Sequence, residues 1–130
     1  MTPNEYQAQA MRWLNPALSE KDTLINGVMG LCGESGEVID LVKKHLSQGH
    51  PLDREAMVKE LGDVAWYLAE TAYVLGYSLE DIFKANLAKL AARYPDGFSV
   101  VRSGQLDDEH VGVDRDSRAE GRFIKLMRDW

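Results

Sequence analysis

The residues best suited to chemistry in this chain are acidic. Glu34 and Glu37 stand three apart in Gly33-Glu34-Ser35-Gly36-Glu37, and Glu60 and Asp63 stand three apart in Lys59-Glu60-Leu61-Gly62-Asp63-Val64. On a helix, that spacing puts both members of a pair on one face. Like charges so placed repel by roughly 0.2–0.5 kcal/mol, yet the arrangement occurs twice, amid glycine and apolar neighbours. Leu31 and Val38 flank Glu34 by one turn on each side, and Val64 does the same for Glu60, so the acids border a core-facing stripe. Carboxylates near a core are costly unless they are paired or hold a cation. A donor set of oxygens, without sulfur or imidazole, suits a hard ion such as Mg²⁺ or Mn²⁺. A solitary Glu-x-x-Glu is an ordinary solvated helix face; two of them on successive antiparallel helices reverse that expectation. A di-iron carboxylate bundle would want Glu-x-x-His twice. His45 and His50 do not follow an acid by three residues, and His110 follows Asp107 only in a Gly- and Asp-rich tail. The ligand types exclude it.

Helices must position these acids, and the sequence supplies them. Thr2-Pro3-Asn4-Glu5 carries a cap, a first-turn proline and a capping-box acid. The first helix then runs through Tyr6, Ala10 and Trp13 to Asn15-Pro16. A second begins between Ser19 and Asp22, with Leu24, Ile25, Val28, Leu31, Cys32, Val38, Leu41 and Val42 as its apolar stripe. It ends in the turn chemistry of Ser47-Gln48-Gly49-His50-Pro51. Asp53 caps a third helix through Met57, Leu61, Val64, Ala65, Leu68, Ala72 and Leu75, stopped by Gly76. Ser78 with Asp81 caps a fourth, through Ile82, Leu87, Leu90 and Ala91 to Tyr94-Pro95-Asp96-Gly97. Strand period appears only at Phe98-Ser99-Val100-Val101. The expected fold class is all-α: a four-helix bundle over residues 1–100, with a C-terminal extension over 101–130. In that extension, residues 103–116 read as a loop. Ser117 to Trp130 reads as a last helix with Phe123, Ile124, Met127 and Trp130 on one face.

Those acids and a third block carry a resemblance. Gly33 to Glu37 and Lys59 to Val64, separated by the twenty-two residues between Glu37 and Glu60, resemble the ExxE…ExxD signature of the MazG-like, all-α NTP pyrophosphohydrolases. Asn86-Leu87-Ala88-Lys89-Leu90 with Arg93-Tyr94-Pro95-Asp96-Gly97-Phe98 is similar to that family's NxxKLxxRYPDGF segment. The resemblance covers roughly residues 20–100; the tail departs from the minimal pattern and suggests a subgroup, such as a phage type. It implies that a (deoxy)nucleoside triphosphate is hydrolysed between α and β phosphorus, giving monophosphate and pyrophosphate, with a lean toward purines such as dGTP or GTP. Glu34, Glu37, Glu60 and Asp63 would ligate Mg²⁺, with Mn²⁺ able to substitute. Glu37 first, or Glu34, would orient or deprotonate the attacking water. The family also implies a homodimer or homotetramer with sites at subunit interfaces.

The remaining site expectations follow from spacing. Asn86, Lys89 and Arg93 fall at i, i+3 and i+7 on the fourth helix, a cationic stripe fit to meet a triphosphate, with Arg93 suited to a bidentate grip. Lys44 lies nearly two turns beyond Glu37 on the same face and is a weaker phosphate candidate; Lys43 points elsewhere. For the base, Trp66 and Tyr67 follow Asp63 at i+3 and i+4, and Trp13 offers another ring; each also suits core packing. Asn26 or Gln9 offers hydrogen bonds.

Composition sets the outer bounds. The 130 residues fit one domain, with 45% apolar and 28% charged residues, as in soluble globular chains. A net charge of −6 and a pI near 5.0 argue against a nucleic-acid polymer as partner, since Lys43-Lys44 is the only adjacent basic pair. Cys32 is the only cysteine, expected to be a small buried helix residue in a reducing compartment. No apolar run reaches the ~18 residues of a membrane span, and no signal-peptide pattern opens the chain. The expectation is a cytoplasmic protein without membrane contact. Two other readings compete: a related hydrolase of alarmone or phosphoribosyl nucleotides, and a non-catalytic helical interaction module whose acids hold a structural ion or none.

Overall fold

Capping chemistry lays out the helices. In the computed structural model, which describes residues 1–104, α1 (Pro3–Ala10) opens on a complete capping box between Thr2 and Glu5. α2 (Glu20–Gln48) starts where Ser19 accepts from the Asp22 amide, and it ends at Gly49, whose φ of 72° the missing Cβ permits. Asp53 caps α3 (Arg54–Val74) by accepting from the Ala56 amide at 2.9 Å. Ser78 and Asp81 form the capping box of α4 (Leu79–Arg93). Such caps satisfy amides that the first turn leaves without partners. The described residues contain helices and no strand, so the all-α expectation is met.

Two boundaries differ from the sequence reading. The first helix does not continue as α through Trp13; Met11–Trp13 tighten into a 3₁₀ turn ahead of Asn15-Pro16. The stretch with strand period forms instead a short helix, α5 (Val100–Ser103), because Ser99 caps it through the Arg102 amide. α5 therefore runs across the expected boundary at residue 100. The expected loop over 103–116 lies almost wholly outside the described residues, and the last helix, Ser117 to Trp130, lies entirely outside them.

Packing divides unevenly. α2 and α3 form a long antiparallel hairpin in which two glycines admit the neighbouring helix. A Cβ on Gly27 would lie 2.5 Å from Thr71 Oγ1, and one on Gly30 would lie 2.2 Å from the Tyr67 ring. α1 closes the other end. Gln7, buried, donates to the carbonyls of Ala69 at 3.2 Å and Tyr77 at 3.1 Å and accepts from the Leu79 amide at 3.0 Å, tying α1 to the α3–α4 corner. Around that corner Ala69, Ala72 and Leu79 form a small core, with Tyr6, Met11, Leu68 and Ile82 packed on it.

The rest of the apolar stripes stays open. Val28, Leu61, Leu87 and Leu90, all expected in the core, are 47%, 51%, 65% and 40% exposed. Cys32 is exposed too, contrary to expectation. The α3-facing side of α2 is the line of Thr23, Gly27, Gly30 and Glu34, and position 32 falls on the opposite side of the helix. Among the described residues no helix is long and apolar enough to cross a membrane.

Candidate metal centre

The α2–α3 hairpin brings three of the four paired acids to one place. Asn26 and Gly27 meet Glu70 and Thr71, Gly30 meets Tyr67 and Glu34 meets Asp63, three levels that rise along α2 as they fall along α3. Because glycine stands at two of these levels, the axes come close enough for short carboxylates to meet across the seam. Carboxylate oxygens of Glu34, Glu60 and Asp63 all lie within 4.8 Å of one another. Glu34 and Glu60 are half-buried, and Asp63 is exposed.

Electrostatics records the crowding. Burial, first, and the charges of Asp63, Glu60 and Glu37 push the Glu34 carboxyl above its ordinary value, and a hydrogen bond with Glu60 adds to the rise. Such a group resists ionising until something positive stands beside it. The donor set is wholly oxygen, and it fits Mg²⁺ or Mn²⁺. Glu37 is exposed and does not join the three converging carboxylates; it acts on Glu34 from the rim.

The other expected residues are dispersed. Lys43 pairs with Asp40, Lys44 pairs with it at 2.5 Å, and the two lysines hold the Asp40 carboxyl down to about 2. Asn86 and Lys89 are exposed on α4, and Arg93 is half-buried. Arg93 donates to the Ser103 carbonyl at 3.2 Å, while Arg102 donates back to the Arg93 carbonyl at 3.3 Å. Trp66 Nε1 donates to the Ala10 carbonyl at 3.1 Å, and its ring meets Tyr67 edge-on at 5.0 Å between centroids. Trp13 is 72% exposed, with the Arg12 guanidinium 5.9 Å from its ring centre. Asn26 donates from Nδ2 to both carboxylate oxygens of Glu70, each at 3.1 Å.

Three participants escaped sequence reasoning. Tyr6 sits close enough to feel Asp63: burial, then that charge, raises its hydroxyl. Its helix lies far from the acids in sequence, so no spacing rule links them. Asp40 continues the stripe of Glu37 by one turn, a spacing legible in the sequence. Glu70 follows Asp63 at i+7 on the same face of α3 and is only 1% exposed. Burial raises its carboxyl, and the Asn26 bond opposes that rise.

Comparison with known proteins places the chain in a family. Residues 23–98 match the MazG nucleotide pyrophosphohydrolase domain, a span that holds Glu34, Glu37, Glu60, Asp63 and the α4 stripe. The Gene 37 protein of Mycobacterium phage L5 is 41% identical over 69 residues, covering 50% of this chain and 60% of that protein. The match thus spans less than two thirds of the relative's length. No solved structure matches the chain. With the family's domain spanning more than half of the sequence, the chain belongs to the MazG nucleotide pyrophosphohydrolase family.

Proposed function

We propose that this chain is a Mg²⁺-dependent nucleoside triphosphate pyrophosphohydrolase that converts a (d)NTP to (d)NMP and pyrophosphate in the cytoplasm. The observation that carries the reading is the meeting of Glu34, Glu60 and Asp63 within 4.8 Å, where like charge and burial leave a place for a hard cation. These three residues would hold it, with Glu37 at the rim. A Mg²⁺ held there would supply Lewis-acid chemistry, offsetting the negative charge that builds on the phosphate oxygens. Glu37 accepts a proton from the attacking water, whose oxygen bonds to the α phosphorus. The bond from that phosphorus to the bridging oxygen breaks, and pyrophosphate leaves with the electron pair.

Lys89, Arg93 and Asn86 supply positive charge and hydrogen bonds to the leaving phosphates. They stand on the open part of α4, beside exposed Leu87 and Leu90. We infer that a second copy of the chain covers those leucines and that the working enzyme is a homo-oligomer.

A panel assay tests the reaction. Purified protein is given each dNTP and NTP with Mg²⁺ or Mn²⁺, and monophosphate and pyrophosphate are quantified beside a Glu60→Gln control. Metal-dependent pyrophosphate release that the control lacks is the expected result. No release from any nucleotide refutes the hydrolase, and tight binding of the cation without turnover would favour an interaction module with a structural ion.

A further inference from the structure

Glu70 is out of place by ordinary rules of burial. Its carboxylate is 1% exposed in the α2–α3 seam, where an apolar side chain of similar volume would cost less. What it touches is Asn26, an exposed residue of α2, through Nδ2 at 3.1 Å to each of its two oxygens. An ionised carboxylate only accepts hydrogen bonds, so it holds the amino side of the amide and turns Oδ1 outward. A surface asparagine without such a holder turns over freely and serves donors and acceptors alike. This one is fixed as an acceptor.

Its place along the hairpin gives that polarity a use. Asn26 precedes Glu34 by eight residues of continuous helix, about 12 Å at 1.5 Å per residue. That is the reach of a nucleoside from its phosphates to the far edge of its base. Between the two stands the Tyr67 ring, laid over Gly30 and met edge-on by Trp66. The seam thus runs from carboxylates through an aromatic surface to an oriented acceptor.

We propose that Asn26, oriented by Glu70, reads the nucleobase and favours bases that present an amino group. This rests on the nucleotide reading of the carboxylate centre. A base with a carbonyl in the same position would set oxygen against Oδ1, with the Glu70 carboxylate behind it.

The test uses nucleotide pairs that differ at an amino group: GTP with ITP, and CTP with UTP. In the parent protein, kcat/KM favours the amino-bearing member of at least one pair by about tenfold, as expected where a polar site loses its partner. Glu70→Gln can bond to either face of the Asn26 amide, so the ratio drops to about twofold, while Mn²⁺ affinity and helical content stay at parent values. Asn26→Ala, at an exposed position, gives the same loss of discrimination. Equilibrium binding of the same pairs with Ca²⁺ in place of Mg²⁺ reads the ratio without turnover. A protein that binds the pairs with the expected ratio but hydrolyses none overturns the hydrolase and not this assignment. A parent that binds neither pair, or does not discriminate within either, overturns it. So does a ratio unchanged in Glu70→Gln.

Discussion

The α2–α3 hairpin and helix α4 are both drawn from the matched domain, yet one is finished within a single chain and the other is not. The hairpin is closed by glycine, by Thr71 and Tyr67 lying over those glycines, and by the Asn26–Glu70 hydrogen bonds. α4 is anchored at its first turn, where Leu79 is buried and Gln7 and Asn4 accept from its amides. Beyond that turn its leucines face outward. The difference teaches which parts of the site need company. Three carboxylates meet without help from another molecule, whereas the cations that would face them ride on a helix whose apolar side lacks cover in one chain.

The largest expected effect lies in the hairpin. Asp63→Asn or Glu60→Gln removes charge from the converging carboxylates, and the cation's several kcal/mol of stabilisation translate to a loss of about a thousandfold in kcat/KM. Mn²⁺ binding should fail in parallel, while the metal-free fold is no less stable, because a like-charge repulsion is relieved. Equal activity in these variants would reduce the carboxylates to a solvated face. Next comes α4. Leu87, 65% exposed, becomes Asp at little cost to one chain. If a second copy covers it, the oligomer separates by light scattering and kcat/KM drops by about tenfold to a hundredfold as Lys89 and Arg93 lose their placement. An unchanged mass would leave the α4 stripe to another role.

Much of this division was legible in residue order. Caps, stop residues and the repeated acid spacing depend on neighbours within one turn, so Thr2, Ser19, Asp53, Ser78, Gly49 and Gly76 marked the elements correctly. Periodicity named apolar stripes but could not say what covers them; Leu87 looks like a core leucine in sequence and stands open in one chain. It placed Cys32 inside because a two-sided apolar helix has no unique inner face. Partners distant in the chain stayed invisible. Nothing in the order of residues ties Tyr6 to Asp63 or Asn26 to Glu70, since helix pairing alone makes them neighbours. Glycines were visible as letters, and only the packed hairpin separates those that admit α3 from those that do not.

That separation gives a smaller, sharper test. Gly30→Ala drives a methyl into the Tyr67 ring, 2.2 Å away, and should cost roughly 1–3 kcal/mol through overpacking. Gly33→Ala meets nothing within 4 Å and should gain up to about 1 kcal/mol from helix propensity. Urea unfolding of both variants measures the contrast. If Gly33→Ala instead weakens assembly, the open side of α2 also belongs to an interface between copies.

The smallest effect is one of pH, and it again sets the hairpin against an exposed helix face. Burial raises the Glu70 carboxyl above the 4.5 of an ordinary glutamate, so the folded chain takes up its proton more readily than the unfolded one. The stability contributed by that proton is fully present below the unfolded value and is lost as pH rises through the raised folded one. Asp40 behaves in the opposite sense. Its carboxyl is held near 2, so its ion pairs contribute above 3.8 and fade as pH falls toward 2. Well above 3.8 the Asp40 pairs are constant, and of the two only Glu70 changes, from 4.5 up through its raised folded value. Urea midpoints of metal-free protein should therefore carry a component that rises on acidification and that Glu70→Gln removes. Glu34, also raised by burial and its acidic neighbours, adds a component of the same sign. Saturating Mg²⁺ suppresses the Glu34 part by favouring the ionised carboxylate, and leaves the Glu70 part in place. A Glu70→Gln midpoint that follows the parent at each pH, with and without Mg²⁺, would mean that the buried carboxylate keeps the same proton in both states and stores no strain in the seam.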